Sequence, residues 1–199
     1  MITMKVPFFD YPQLWNKERK ELMSIIDATS SNGSFILQSE LEDFENQLAE
    51  YTGSKFAVGV GNATDAMEIF LQAIGLQEGD EVIISSHTML ATASSIIHAG
   101  GEVIFDKSQM ANNWKGLYQL KPYPIYDSAK RLKKDMYIKD SYMALSFHIK
   151  KLLPISKGGM ILTDDTKAFE WFKKARYEGR SEKKYKEDDI EFIGWNMYM

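Results

Sequence analysis

The chain has 199 residues, of which 44% are hydrophobic and 26% are charged, and its formal net charge is −4. This length and composition are typical of a soluble globular protein with one or two domains, and the negative charge gives no electrostatic reason to expect nucleic acid as a partner. The absence of cysteine excludes disulfides, thiolate metal sites and cysteine nucleophiles.

The N-terminal residues lack the long apolar segment of a signal peptide, and no stretch approaches the roughly 18 apolar residues of a membrane span. Three histidines, scattered along the chain, are too few to suggest a metal site. We therefore predict a cytoplasmic protein with no membrane partner.

Residues 1–52 are predicted to form an N-terminal helical segment. Apolar residues recur at near-helical spacing over residues 13–29 and again from Ser39 to Gly53, where glycine is a good stop signal. Both helices are interpreted most simply as packing elements.

From residue 53 onward, short apolar runs alternate with helical ones. This alternation predicts an α/β domain over residues 53–199, with a mostly parallel sheet flanked by helices. The predicted strands are KFAVGV from residue 55, EVIIS from 81, EVIF from 102, PYPIYD over 122–127, MALSF over 143–147 and GMILT over 159–163. A helix is predicted over 168–177, followed by a charged loop over 178–191.

A glycine-rich turn connects the first predicted strand to the next helix. In this turn Gly59, Gly61 and Thr64 offer amides and a hydroxyl that can hold an anion such as phosphate. An ordinary strand-to-helix turn with an Asn or Thr cap accounts for the same residues. The turn is neither a Walker loop nor a dinucleotide fingerprint, because it lacks their spacing.

Asp127 closes the run PYPIYD, at the C-terminal end of a buried strand, where ligands bind in open α/β sheets. At that position a carboxylate can pair with a pyridinium nitrogen. It can equally cap the segment that follows, and the spacing does not separate the two interpretations.

Ser146, His148, Lys150 and Lys151 directly follow the next strand. A lysine beside an apolar wall can lose its proton and attack a carbonyl carbon, whereas most loop lysines are solvated charges. With the glycine-rich turn and Asp127, these residues supply a phosphate site, a carboxylate and an amine at successive strand ends. That is the set of groups a pyridoxal phosphate enzyme needs.

Longer stretches of the chain resemble the DegT/DnrJ/StrS family of pyridoxal-phosphate sugar aminotransferases, which have the aspartate aminotransferase fold. In the first half these are VPFFDYP, the nearly continuous stretch from GSFILQSE to HTMLATAS, and AGGEVIF. In the second half they are LSFHIKKLLPISKGGMILTDD, ARYEGR and IGWNMYM. The resemblance covers most of the chain.

The resemblance implies where the cofactor would be held. The family pattern S-F-x-x-x-K assigns the catalytic lysine, which bonds to the cofactor aldehyde, to Lys151 and leaves Lys150 as a neighbour. Asp127 would pair with the pyridinium nitrogen. Met89 stands where the family usually has an aromatic residue against the cofactor ring, so stacking there would be weaker.

The same resemblance implies a phosphate site and a partner subunit. Ser146, Thr64 and the amide of Asp65 would hold the phosphate. Asn196 matches an asparagine that reaches the phosphate of the other subunit, which implies a homodimer.

Two features depart from the family pattern. The family motif D-x-A-Q reads Asp127, Ser128, Ala129, Lys130, so a lysine replaces the glutamine that contacts the cofactor ring, and a second cation there is unfavourable unless it points away. Between Asp106 and Pro124, and again after Met199, the family has further segments, so a reduced cofactor domain is expected.

The resemblance implies an aminotransferase that moves an amino group from an amino acid, with glutamate as the expected donor, to a nucleotide-linked keto-sugar. The alternative is a catalytically weak or inactive member that keeps the fold as a binding or assembly module. Lys130, Met89 and the shortened chain are the features that favour this alternative.

Overall fold

A computed structural model describes residues 6–108, 115–181, 185–188 and 190–199, and the chain divides into two units, Met1–Gln38 and Ser39–Met199. The first unit contains helix α1 (Tyr11–Asn32), which includes the predicted helical residues 13–29. None of the residues of α1, all of which are described, is buried. Neither α1 nor any other described helix combines the length and hydropathy that a membrane span requires.

The second unit begins at Ser39, and not at residue 53, the predicted start of the α/β domain. Helix α2 (Ser39–Thr52) is the reason, because its Leu48 lies in one apolar cluster with Met143 from the second half of the chain. A helix that buries its apolar face against a sheet folds as part of the same unit.

The other elements of the second unit alternate between strands and helices. In chain order they are β1 (Phe56–Val60), α3 (Ala63–Ala73), β2 (Glu81–Ser85), α4 (Leu90–His98), β3 (Glu102–Asp106), β4 (Tyr118–Leu120), β5 (Ile125–Asp127), β6 (Tyr142–Ser146), β7 (Gly159–Thr163), α5 (Thr166–Ala175) and a short 3-10 turn at Tyr185–Glu187. All six predicted strands are present, and β4 is an additional one. Within the predicted loop 178–191, residues 182–184 and 189 lie outside the described part. The α/β class is confirmed.

The prediction of a mostly parallel sheet needs correction, because the strand pairs are mixed. Five strands pair in the order β1-β7-β6-β5-β4, and β2 pairs with β3. The pairs β5–β6 and β2–β3 are parallel, whereas β1–β7, β6–β7 and β4–β5 are antiparallel. Residues 121–124, which join β4 to β5, are too few for the crossover that a parallel pair requires. β6 and β7 continue as a hairpin, in which the Phe147 amide donates to the Gly158 carbonyl (2.8 Å).

Apolar side chains cover both faces of the five-stranded sheet. On β6, Ala144 belongs to a cluster with Phe70 of α3, whereas the neighbouring Met143 belongs to the cluster that contains Leu48 of α2. Successive residues of a strand point to opposite faces, so a sheet buried on both faces is made of continuous apolar runs. This packing holds the strand ends, and the polar residues that follow them, in defined positions.

Candidate active site

The C-terminal ends of β5 and β6 open into a cleft of about 520 Å³, a volume within the range of small-molecule sites, roughly 300–1,000 Å³. The two strands are parallel, with Asp127 opposite Ala144, so the segments that follow them leave the sheet at the same edge. The cleft is lined by most of the predicted site residues, which are Thr64, Met89, Asp127, Lys130, Ser146 and Lys151. Asp65 and Asn196 are not among the lining residues.

Gly159, the first residue of β7, allows the N-terminus of α3 to approach the end of β6. It pairs with Ser146, and a Cβ on it would collide with the main chain of Asn62 and lie 2.8 Å from the Ala63 nitrogen. Only glycine leaves room for this approach. The hydroxyls of Thr64 and Ser146 belong to the same cleft for this reason.

Asn62 caps helix α3, and this changes the expectation for Asp65. The Asn62 Oδ1 accepts hydrogen bonds from the amides of Thr64 (2.9 Å) and Asp65 (3.0 Å). The Asp65 amide, predicted to hold phosphate, is therefore already bonded within the helix cap. Burial raises the pKa of the Asp65 carboxyl group, against the hydrogen bond to Asn62 and the charge of Lys157, which lower it.

Asp127 is the buried carboxyl group of the cleft, at 4% exposure. Its Oδ2 accepts a hydrogen bond from the Thr92 hydroxyl (2.8 Å), and its Oδ1 accepts one from the Ala129 amide (2.9 Å). Burial raises the pKa of Asp127, while these two bonds and the charges of Lys151 and Lys130 lower it. The two hydrogen bonds thus hold the carboxyl group in one orientation, and Asp127 contributes to the lining of the cleft.

Lys151 lies in the loop that connects β6 to β7. The loop is held by main-chain hydrogen bonds, among them those from Lys151 N to His148 O (2.8 Å) and from Ile155 N to Phe147 O (2.9 Å). Lys151 is half-buried, whereas Lys150 is exposed, although both line the cleft. Burial lowers the pKa of the Lys151 amine, the charge of Asp127 raises it, and the charge of Lys130 lowers it further.

The remaining predicted residues are more exposed than Asp127 and Lys151. Met89 immediately precedes α4 and is 59% exposed, so it offers the cleft a mobile apolar side chain rather than a flat ring. Lys130 is exposed at the rim. Asn196 is also exposed, and its side-chain amide donates to Glu178 Oε1 (3.1 Å) instead of reaching the cleft of its own chain.

Two residues of the site were not predicted from the sequence. Thr92, on α4, supplies the hydroxyl that orients Asp127, and Tyr118, on the unpredicted strand β4, lines the cleft. Thr92 lies 35 positions before Asp127, so only the packing of α4 against the sheet brings them together. No spacing pattern in the sequence signals either residue.

Residues 16–111 and 137–199, well over half of the chain, match the sequence profile of the DegT/DnrJ/EryC1/StrS aminotransferase family. The chain belongs to this family. The unmatched residues 112–136 overlap the segment in which the sequence is shorter than the family pattern. The predicted family membership is confirmed.

Curated relatives of this DegT-family chain include nucleotide-sugar aminotransferases. Over 102 residues it is 37% identical to the "pleiotropic regulatory protein" of Geobacillus stearothermophilus, a stretch that covers 51% of the chain and 27% of that protein. Over 91 residues it is 35% identical to the dTDP-3-amino-3,6-dideoxy-alpha-D-galactopyranose transaminase of Aneurinibacillus thermoaerophilus, covering 46% and 25% of the two chains. The matched stretch is therefore a minor part of each relative.

Solved structures show that the chain has the fold of pyridoxal-phosphate-dependent aminotransferases. DesV of S. venezuelae superposes with a TM-score of 0.83 at 24% identity, over 99% of this chain and 62% of DesV. NtdA of Bacillus subtilis, solved with the cofactor PMP bound, superposes with a TM-score of 0.77 at 21% identity, over 98% of this chain and 53% of NtdA. Pyridoxal 5'-phosphate, the predicted cofactor, is the cofactor that this family and fold indicate.

The donor set of the cleft fits pyridoxal phosphate. A half-buried amine with a lowered pKa can bond to the aldehyde, and a buried, oriented carboxylate can hold a proton on the ring nitrogen. Thr64 and Ser146 supply hydroxyls beside the positive end of α3, where a phosphate is favourable. The close approach at Gly159 puts these hydroxyls on the side of the cleft that α3 forms.

Proposed function

We propose that this chain is the cofactor-binding part of an aminotransferase that acts on a nucleotide-linked keto-sugar. In the net reaction an amino acid and the keto-sugar become a 2-oxo acid and an amino-sugar, so the amino group and the carbonyl oxygen exchange places. The observation that carries the proposal is the cleft that joins Lys151, Asp127, Thr64 and Ser146 at one sheet edge. Glutamate as the donor, and a cytoplasmic location, are further parts of the proposal.

Each side chain has a separate role in this proposal. When bound, pyridoxal phosphate supplies an aldehyde and an electron-withdrawing ring. Lys151 would hold the cofactor aldehyde, and its amine would act as the general base and acid that moves a proton between the donor Cα and the cofactor carbon. Asp127 would hold the proton on the ring nitrogen, and Thr64 and Ser146 would bind the phosphate oxygens. Met89 would pack against the ring without stacking on it.

Reductive trapping tests this function directly. The purified chain is incubated with pyridoxal phosphate, reduced with borohydride and mapped by peptide mass spectrometry. We expect the pyridoxyl group on Lys151, because burial lowers its pKa and so increases the neutral, nucleophilic amine. The exposed neighbour Lys150 serves as the internal control. Labelling of Lys150 instead, or no labelling, would favour the alternative of an inactive binding or assembly module.

Asn196 provides a test of the proposed homodimer. If its amide binds the phosphate held by the partner subunit, Asn196→Ala should weaken pyridoxal phosphate binding about tenfold, the loss expected for one hydrogen bond to a charged group. The measurement is a fluorescence titration, with the exposed Asn46→Ala as the matched control. A monomer in size-exclusion chromatography, or an unchanged dissociation constant, would remove the partner-subunit role.

A further inference from the structure

Lys130 brings an amine from a second strand end into the cleft that Lys150 and Lys151 also line. It stands three residues after Asp127, at the position where the family resemblance implies a neutral glutamine. Because β5 and β6 are adjacent and parallel, the segments carrying Lys130 and Lys151 leave the sheet side by side. Both residues line the cleft, in which Asp127 is the one buried carboxyl group.

Asp127 forms no direct ion pair with Lys130 or Lys151 among the described residues. Both oxygens of Asp127 already accept hydrogen bonds from uncharged donors, namely the Thr92 hydroxyl and the Ala129 amide. Among the described residues, neither Lys130 nor Lys151 forms an ion pair. The amines of Lys130, Lys150 and Lys151 therefore share the cleft with one carboxyl group.

Other ionisable groups do not change this imbalance. Those that line the cleft with Lys151 are Asp127, Lys130, His148, Lys150 and Tyr118. Asp65 follows the lining residue Thr64 but is not part of the lining itself. In this set Asp127 is the one carboxyl group, and burial raises its pKa. The lysines outnumber this acid, so the cleft carries a surplus of positive charge.

A surplus of positive charge is relieved most easily when one amine gives up its proton. The amine that does so is the one with less access to water, because burial disfavours the charged form. Lys151 is half-buried and Lys130 is exposed. Burial lowers the pKa of Lys151, the charge of Asp127 opposes this, and like-charge repulsion from Lys130 acts in the same direction as burial.

We propose that Lys130 is a positioning residue for the reaction, which by like-charge repulsion increases the neutral, nucleophilic fraction of the Lys151 amine. The importance of a neutral amine rests on the proposed aminotransferase function. The electrostatic effect itself is a property of the cofactor-free chain. If so, the lysine that replaces the family glutamine has a function in the site.

Competitive labelling of the cofactor-free chain with trace acetic anhydride measures this effect without activity. Peptide mass spectrometry follows Lys151 between about pH 7 and 10, the range in which lysine amines gain reactivity, with the exposed Lys134 as internal reference. In Lys130→Gln the amine of Lys151 holds its proton more tightly. Its labelling rate near pH 8 should fall about threefold, as expected for loss of one like charge across a cleft open to water.

Two further variants separate Lys130 from charge in general. Lys130→Arg keeps the positive charge and should retain the wild-type labelling profile. Lys150→Gln removes an exposed charge of the same loop and should change the profile less than Lys130→Gln. An unchanged profile in Lys130→Gln, or an equal change in Lys150→Gln, would overturn the proposal. The outcome is independent of reductive trapping, so failure of the proposed function and failure of this inference are distinguishable.

Discussion

Alanine in place of Lys151 is expected to lower amino transfer by about 10²–10⁴-fold, the contribution typical of a positioned general acid–base group. Under the proposed function, the variant would lose both the amine that holds the cofactor aldehyde and the group that moves the proton. Lys150 lines the same cleft but is exposed, so its amine is not expected to replace that of Lys151. The measurement is formation of 2-oxoglutarate from glutamate by the chain loaded with pyridoxal phosphate.

The matched control for this prediction is Lys150→Ala, which removes an adjacent lysine of the same loop and should retain most of the activity. Fold is checked by circular dichroism, and the half-buried Lys151 is not part of either apolar cluster, so its loss should leave the spectrum unchanged. A small molecule amine such as methylamine should restore part of the proton transfer. Equal losses in the two variants would contradict the assignment of the role to Lys151.

Methionine in place of Arg176 is expected to destabilise the second unit by about 3–5 kcal/mol, the range measured when one member of a buried ion pair is removed. Arg176 is 2% exposed and directly follows α5. Its guanidinium donates to Glu45 Oε1 on α2 and to the Gly59 carbonyl on β1 (2.8 Å), and the same carboxylate accepts from the Gly59 amide (2.6 Å). Without Arg176, the Glu45 carboxylate remains buried and uncompensated. The measurement is urea unfolding.

Two variants test the reason for this loss. The double variant Glu45→Gln with Arg176→Met removes both charges and should recover part of the stability, because the uncompensated charge causes most of the cost. Lys174→Met breaks the surface pair with Glu191 (2.6 Å) and should cost under about 1 kcal/mol. A loss in Arg176→Met as small as that in Lys174→Met would show that the buried pair is not a major source of stability.

The same network connects stability to the active site. The Arg176 carbonyl accepts from the Met197 amide (2.9 Å), and the Met197 carbonyl accepts from the Gly61 amide (2.7 Å), in the turn that leads into α3. In the sequence, Arg176 belongs to the family-like segment ARYEGR, and no pattern around it predicts that its side chain is buried. Long-range contacts between α2, β1 and the segment after α5 create that burial.

The sequence by itself was sufficient to predict the α/β class, six of the strands and a set of candidate cofactor-binding residues. Strands buried on both faces are continuous apolar runs, and the residues after them, such as Ser146 and Lys151, stand at short fixed spacings along the chain. Such patterns depend on local geometry, so they are readable without the fold. Fixed spacing is also what assigns the lysine of the family pattern S-F-x-x-x-K to Lys151, five residues after Ser146, and not to Lys150.

The tertiary structure decided the strand directions and the surroundings of the functional groups. Pairing of β4 with β5, burial of Asp127 beneath Thr92, and use of the Asp65 amide in the helix cap depend on contacts between distant or competing groups. The presence of Lys130 and Lys151 in one cleft follows from the parallel pairing of β5 with β6. Periodicity records only which side of an element is apolar, whereas pairing and burial depend on which elements meet.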